Sequence, residues 1–261
     1  MAGLAATFLT LAAGGATHAQ LFCDPHPDLP DYYVCAGTTT EGFDVGDSLP
    51  AGAAGVELAG GTEISNETEG ASAAVYNVDG QTVIVGEGAV IRQTGDNVGV
   101  AGIEAVSDGA SRIVNFGTID VSGTGDDPNW GILLGNLDLS TPSNKTLENY
   151  GHIVVAGDNS ADAILAWGNG NTIVNHGTLE AGANLATGIY ASTGQQDNPQ
   201  PVLVLNTGTI LATGGEFATG IETWSLEPGT FMEVVNKANL HVSGFRAAGI
   251  LADGTLVIRD T

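Results

Sequence analysis

The sequence predicts an all-β protein, a right-handed parallel β-helix in which three short strands recur in coils of about 30 residues. Three observations predict it: a motif repeated in register, a period-two alternation of apolar residues around that motif, and a composition rich in glycine and poor in charge. Glycine fills 39 of 261 positions, while charged residues make up 14% and aromatic residues 6%. Glycine supplies backbone conformations that tight turns need, and a chain that is 43% hydrophobic can fill a substantial core. No long stretch repeats apolar residues at helical spacing.

The first strand of each repeat ends on an asparagine. Asn115-Phe116-Gly117-Thr118-Ile119, Asn149-Tyr150-Gly151-His152-Ile153, Asn175-His176-Gly177-Thr178-Leu179, Asn206-Thr207-Gly208-Thr209-Ile210 and the degenerate Asn236-Lys237-Ala238-Asn239-Leu240 share the pattern. Two residues before each Asn stands an apolar residue: Ile113, Leu147, Ile173, Val204 or Val234. The second strand follows. Its positions four and six after Asn are apolar or small (Ile119, Ile153, Leu179, Ile210, Leu240, then Val121, Val155, Ala181, Ala212, Val242), with a mixed set between them. That is strand alternation, with the apolar set facing inward. Eight after Asn, Gly123, Gly157, Ala183, Gly214 or Gly244 marks the expected turn.

The third strand carries a small residue before Ile at Ile103, Ile132, Ile164, Ile189, Ile221 and Ile250, and a mostly small inward residue two positions later. Strands this short cannot bury an apolar face alone, so the coils must stack, Ile on Ile and Asn on Asn. A buried Asn column then satisfies its amides from coil to coil. Before residue 100 the pattern weakens. Val75 matches Ile103, and Val56-Glu57-Leu58 and Val83-Ile84-Val85 read as strands, but their asparagine turns do not align. At the other end Leu256 to Asp260 reads as the first strand of a further coil, so the natural protein is expected to continue.

The segments outside the repeat bear on location. Residues 1–19 read as an export signal: Gly3 to Ala16 is small and apolar, and Thr17-His18-Ala19 precedes Gln20 at a suitable cleavage site. The usual positive start is missing, which places the expected beginning upstream of Met1; the alternative is a short buried segment. Residues 20–50 read as an N-terminal cap. Cys23 and Cys35 are spaced for neither a zinc site nor a redox pair, and in an exported chain they are expected to form a disulfide. Residues 51–261 are the β-helix. Thirty acidic residues against six basic ones give a net charge of −24, a surface that repels nucleic acid.

The Asn-x-Gly-Thr-Ile repeats, each followed by a small residue and Ile, resemble passenger domains of bacterial autotransporters of the type V secretion route. The segment from Cys23 to Cys35-Ala36-Gly37-Thr38-Thr39-Thr40-Glu41-Gly42-Phe43 is similar to the cysteine-paired start of many such passengers, and the resemblance spans roughly residues 20–261. It implies export in a Gram-negative bacterium, display at the outer-membrane surface or outside the cell, and a C-terminal outer-membrane barrel. No barrel pattern of amphipathic strands with aromatic girdles occurs in this sequence.

Motifs for chemistry find weak support. Gly46-Asp47-Ser48-Leu49 matches a lipase nucleophile block, yet no Asp-x-x-His supplies the base, so a loop entering the first coil is expected. Asp126-Asp127 suits a glycan-cleaving carboxylate pair, without the companion motifs of such enzymes. His152, His176 and His241 occupy different repeat positions, and His26 lies in a Pro-rich capping loop. No catalytic residue, cofactor or metal site is expected, although plentiful carboxylates allow incidental calcium binding. Partner contacts are expected where repeat length varies, in segments 137–144, 195–201 and 225–230, and at the outward aromatics Tyr190, Trp130, Trp167 and Trp224. Shielding of the turn edges is the plainer role for those rings. The sequence therefore points to an adhesin-like or stalk-like passenger acting by contact, on a host or neighbouring cell surface or on itself. The alternative is a glycan-active β-helix hydrolase or lyase.

Overall fold

Each Asn-terminated strand lies against its counterpart in the next repeat, residue for residue. The computed structural model describes residues 20–66, 70–96, 99–135, 143–193, 200–225, 231–253 and 256–260; the proposed export signal lies outside them. A first parallel sheet runs from Tyr32–Thr39 through Gly55–Leu58, Thr82–Val85, Arg112–Asn115, Thr146–Asn149, Thr172–Asn175, Val202–Asn206 and Met232–Asn236 to Leu256–Asp260. A second holds Glu63–Asn66, Val90–Asp96, Thr118–Thr124, His152–Gly157 and Leu240–Ser243. A third holds Phe43–Asp44, Ala73–Tyr76, Val100–Val106, Asn129–Gly135, Ser160–Trp167 and Arg246–Asp253. The chain is a parallel β-helix of about seven turns. At one strand spacing per turn, that makes a rod of roughly 30 Å.

One expectation fails locally. In two coils the second and third strands are continuous, Thr178–Ser192 and Thr209–Trp224, so Ala183 and Gly214 do not end a strand. The pairing register shifts between Ala183 and Leu185 instead, and that irregularity bends the strand from one sheet into the next.

The inward columns form the core. Ile119, Ile153, Leu179 and Ile210 are fully buried and stacked in register, and Leu240, on the last coil with described side chains, is partly exposed. Full burial of each such side chain contributes about 1.5–3 kcal/mol. The small residue before the third-strand Ile has a steric cause. A Cβ on Gly102, Gly131 or Gly188 would collide with the branched Cγ2 of Ile119, Ile153 or Ile210 one coil further on. Ala163 stands where the next coil offers Leu179, which has no branch at Cβ.

The N-terminal end is closed by Leu21–Pro25, which pairs antiparallel with Tyr32–Thr39 and is tied to it by the Cys23–Cys35 disulfide. His26 Nδ1 accepts the backbone N–H groups of Asp28 and Leu29, and its Nε2 lies 3.4 Å from Glu57. Register also aligns the strands that sequence left loose. Cys35, Leu58 and Val85 occupy the column that Asn115 continues, so the position is apolar in the first coils and amide-bearing afterwards. Gly46-Asp47-Ser48, expected in a loop, lies in a one-turn helix, Val45–Ser48, capped by the Asp44 carboxylate 2.9 Å from Asp47 N.

Candidate functional site

The outer face of the third sheet gathers the candidate contact residues. Outward positions stack into three columns: Ala101, Trp130, Asp162, Thr187 and Thr219; then Glu104, Leu133, Leu165, Tyr190 and Glu222; then Trp167, Ser192 and Trp224. Trp130, Trp167 and Trp224 are all three tryptophans of the protein. Ala73, Ala101, Leu133 and Leu165 form a small buried cluster separate from the main core, with Tyr76, Val106, Trp130, Trp167 and Tyr190 packed on it. The aromatics expected to project outward are thus half-buried plates, and only Trp224, at 38%, is exposed.

Carboxylates punctuate this apolar surface. Burial pushes the Asp162 carboxyl from its ordinary 3.8 up to about 7, and Glu222 adds repulsion, while Thr187 and Trp130 favour the ionised form by hydrogen bonding. Burial also raises the Tyr190 phenol, helped by the charges of Glu222 and Asp162. The Trp224 indole N–H donates to Glu222 Oε1 at 2.7 Å, and Ser72 Oγ donates to Glu104 Oε2 at 3.1 Å. These columns hold no Lys, Arg or His; the flanking column holds Arg246, on the coil three beyond that of Asp162.

The asparagine column lies inside the rod. The Nδ2 of Asn115 donates to Asn149 Oδ1, Asn149 to Asn175, Asn175 to Asn206 and Asn206 to Asn236, each at 2.8 Å. The next residue in register is Asp260. Outside this turn Phe116, Tyr150 and His176 stack face to face at 5.0 and 4.8 Å, and His176 Nδ1 lies 2.6 Å from Thr207 Oγ1. His176 is a stacked turn residue.

Lys145 went unnoticed in the sequence. It is fully buried, and its ammonium donates to Ser107 O at 2.9 Å, Gly109 O at 2.6 Å and Ser107 Oγ at 3.1 Å. Burial lowers it from 10.5 to about 8, opposed by Asp79 and Asp108. A lone lysine carries no periodic signal, so only the fold could reveal this clamp across a turn. Asp162, Leu133 and Leu165 were missed for a similar reason. They sit two before Ile164, one after Ile132 and one after Ile164, positions whose residue type changes from coil to coil.

The other candidates stay apart. Asp126 and Asp127 are exposed on a bend between the second and third sheets, and the Asp126 carbonyl accepts from Asn159 Nδ2 at 2.7 Å. A shallow depression nearby is lined by Thr94, Ser122, Gly123, Ala156, Gly157 and Asp158, without either of them. His152 is paired with Glu180 at 2.9 Å, and His241 is exposed. Among the described residues no group of three or more His, Cys, Asp or Glu is placed to hold a metal ion. Loop residues 137–142, 195–199 and 226–230 lie outside the described residues. Fold and site together define a β-solenoid with a disulfide-tied cap and an aromatic, acidic outer face. Compared with protein-family models, curated proteins and solved structures, the chain matches none.

Proposed function

We propose that this protein is an exported, surface-displayed passenger of the autotransporter type that acts by contact, as an adhesin-like or self-associating rod. The observation that carries the reading is the second apolar cluster, which places Trp130, Trp167 and Tyr190 around Leu133 and Leu165 on the outside of the third sheet. An apolar aromatic patch on a rod surface is a usual mark of a contact site. The Cys23–Cys35 disulfide suits an oxidising compartment, and so supports export. Stacked coils are rigid, so a rod of this kind holds its outer face at a fixed distance from whatever anchors it.

The test expresses the protein from its natural start codon, leader included, in a Gram-negative host and follows its location, its self-association and its adhesion to cells. The expected result is export, followed by adhesion or self-association that Trp224→Ala or Tyr190→Ser weakens by about fivefold or more. Retention in the cytoplasm, or contact that is indifferent to both substitutions, overturns the reading.

A further inference from the structure

We propose that the outer face of the third sheet binds a lysine- or arginine-rich segment of a partner protein. The inference rests on the contact reading above and names the chemistry of the partner.

Charge complementarity carries it. Elsewhere on the rod both Arg92 and Arg112, and two of the histidines, are matched by carboxylates. Arg92 is paired with Glu63 and lies 3.8 Å from Asp120, and Arg112 is 2.7 Å from Glu148. His152 is 2.9 Å from Glu180, and His26 is 3.4 Å from Glu57. On the third sheet the arrangement is the reverse. Glu104, Asp162 and Glu222 lie among Trp130, Tyr190, Trp167 and Trp224, in columns that hold no cationic side chain.

An aromatic face attracts a cation within about 6 Å of its ring, and a carboxylate beside the ring adds a charge-assisted hydrogen bond. Lysine and arginine stems can also lie along apolar surface while their heads reach the acids. Leu133 and Leu165 supply that surface between the rings. The columns advance by one strand spacing per coil, close to 4.8 Å, so an extended basic segment would meet an aromatic or acidic side chain at each step. The overall charge of −24 steers such a partner toward the rod.

Asp162 adds a signature to the site. The groups facing it are Trp130 from one neighbouring strand, Thr187 and Tyr190 from the other, and Glu222 one strand further. An arriving ammonium favours the ionised carboxylate, so binding releases a proton where Asp162 is still protonated, and affinity rises with pH through about 7.

The experiment titrates the full chain with an oligolysine peptide at physiological salt and reads tryptophan fluorescence. All three tryptophans lie on this face, so the signal reports it alone. A glutamine peptide of equal length and a neutral oligosaccharide serve as controls. Glu222→Gln is expected to weaken peptide binding by about fivefold, while Glu87→Gln, the same charge change on a distant turn, changes it by under about twofold. Binding should tighten from about pH 6 to about pH 8 in the wild type and stay flat in Asp162→Asn, a near-isosteric change that preserves the fold.

Equal weakening by Glu222→Gln and Glu87→Gln means diffuse charge attraction only, and overturns the proposal. A fluorescence response to the oligosaccharide with none to the peptide replaces it with a sugar site. Cell adhesion that persists in Glu222→Gln and Asp162→Asn leaves the contact reading standing and sinks this one. The peptide pattern above, with neither adhesion nor self-association, does the opposite.

Discussion

Asn175 donates to Asn206 and accepts from Asn149, so removing its amide leaves a neighbour unpaired on each side. Asn175→Ala should lower the unfolding free energy in urea by about 3 kcal/mol, more than a single surface hydrogen bond accounts for. Glycine at the third strand is as constrained. A Cβ on Gly131 meets Ile153 and the Ala163 carbonyl, whereas on Gly249 it meets only Leu240 Cδ1 at 3.7 Å. Gly131→Ala is therefore expected to cost roughly 2–3 kcal/mol and Gly249→Ala close to nothing, as denaturation midpoints would show. Asp162 governs a pH effect. With its carboxyl raised from 3.8 to about 7, the folded protein keeps a proton that the unfolded chain releases. On this account the stability is fully present below about pH 4 and is lost as pH rises through about 7. Asp162→Asn should remove that slope and stabilise the protein at pH 8 by roughly 1–3 kcal/mol, measured as melting curves across pH.

At the scale of strands and turns, the cap and the Lys145 clamp are the features to break. Cys23 and Cys35 close a loop with a separation of 12 residues, and reduction or a double Ser replacement should cost about 3 kcal/mol and expose the first coil to protease. Lys145→Ala leaves the carbonyls of Ser107 and Gly109 without their ammonium and should destabilise the fold by about 2–3 kcal/mol. The repeat was legible wherever one column keeps one chemistry. Ile119, Ile153, Leu179 and Ile210 repeat visibly because stacking leaves no alternative to a bulky apolar side chain. Where a column changes character the sequence goes quiet. The asparagine column turns into Val85, Leu58 and Cys35 toward the N-terminus, and its early strands could not be aligned without backbone register. The outer cluster was half legible. Its aromatics stood out by type, but Leu133 and Leu165 share a column with Glu104, Tyr190 and Glu222, so no periodicity marked it as a surface. The fused strands Thr178–Ser192 and Thr209–Trp224 were missed because Ala183 and Gly214 look like turn residues yet serve at a bend.

For the whole rod, charge and connectivity set the behaviour. Thirty acids against six bases repel one another in the folded state, so added salt should stabilise the protein. Raising sodium chloride from about 20 mM to about 300 mM is expected to lift the melting temperature by a few degrees, and an unchanged value would show that the carboxylates are already too far apart to interact. The one-way asparagine column has a mechanical meaning. Tension on the two termini loads the outermost winding first, because each winding grips only its neighbours. Stretched in an optical trap, the protein should give way in a sawtooth, each tooth releasing one winding and about 100 Å of slack. A tether with that response absorbs a sudden tug by lengthening in steps, and its grip at the far end survives.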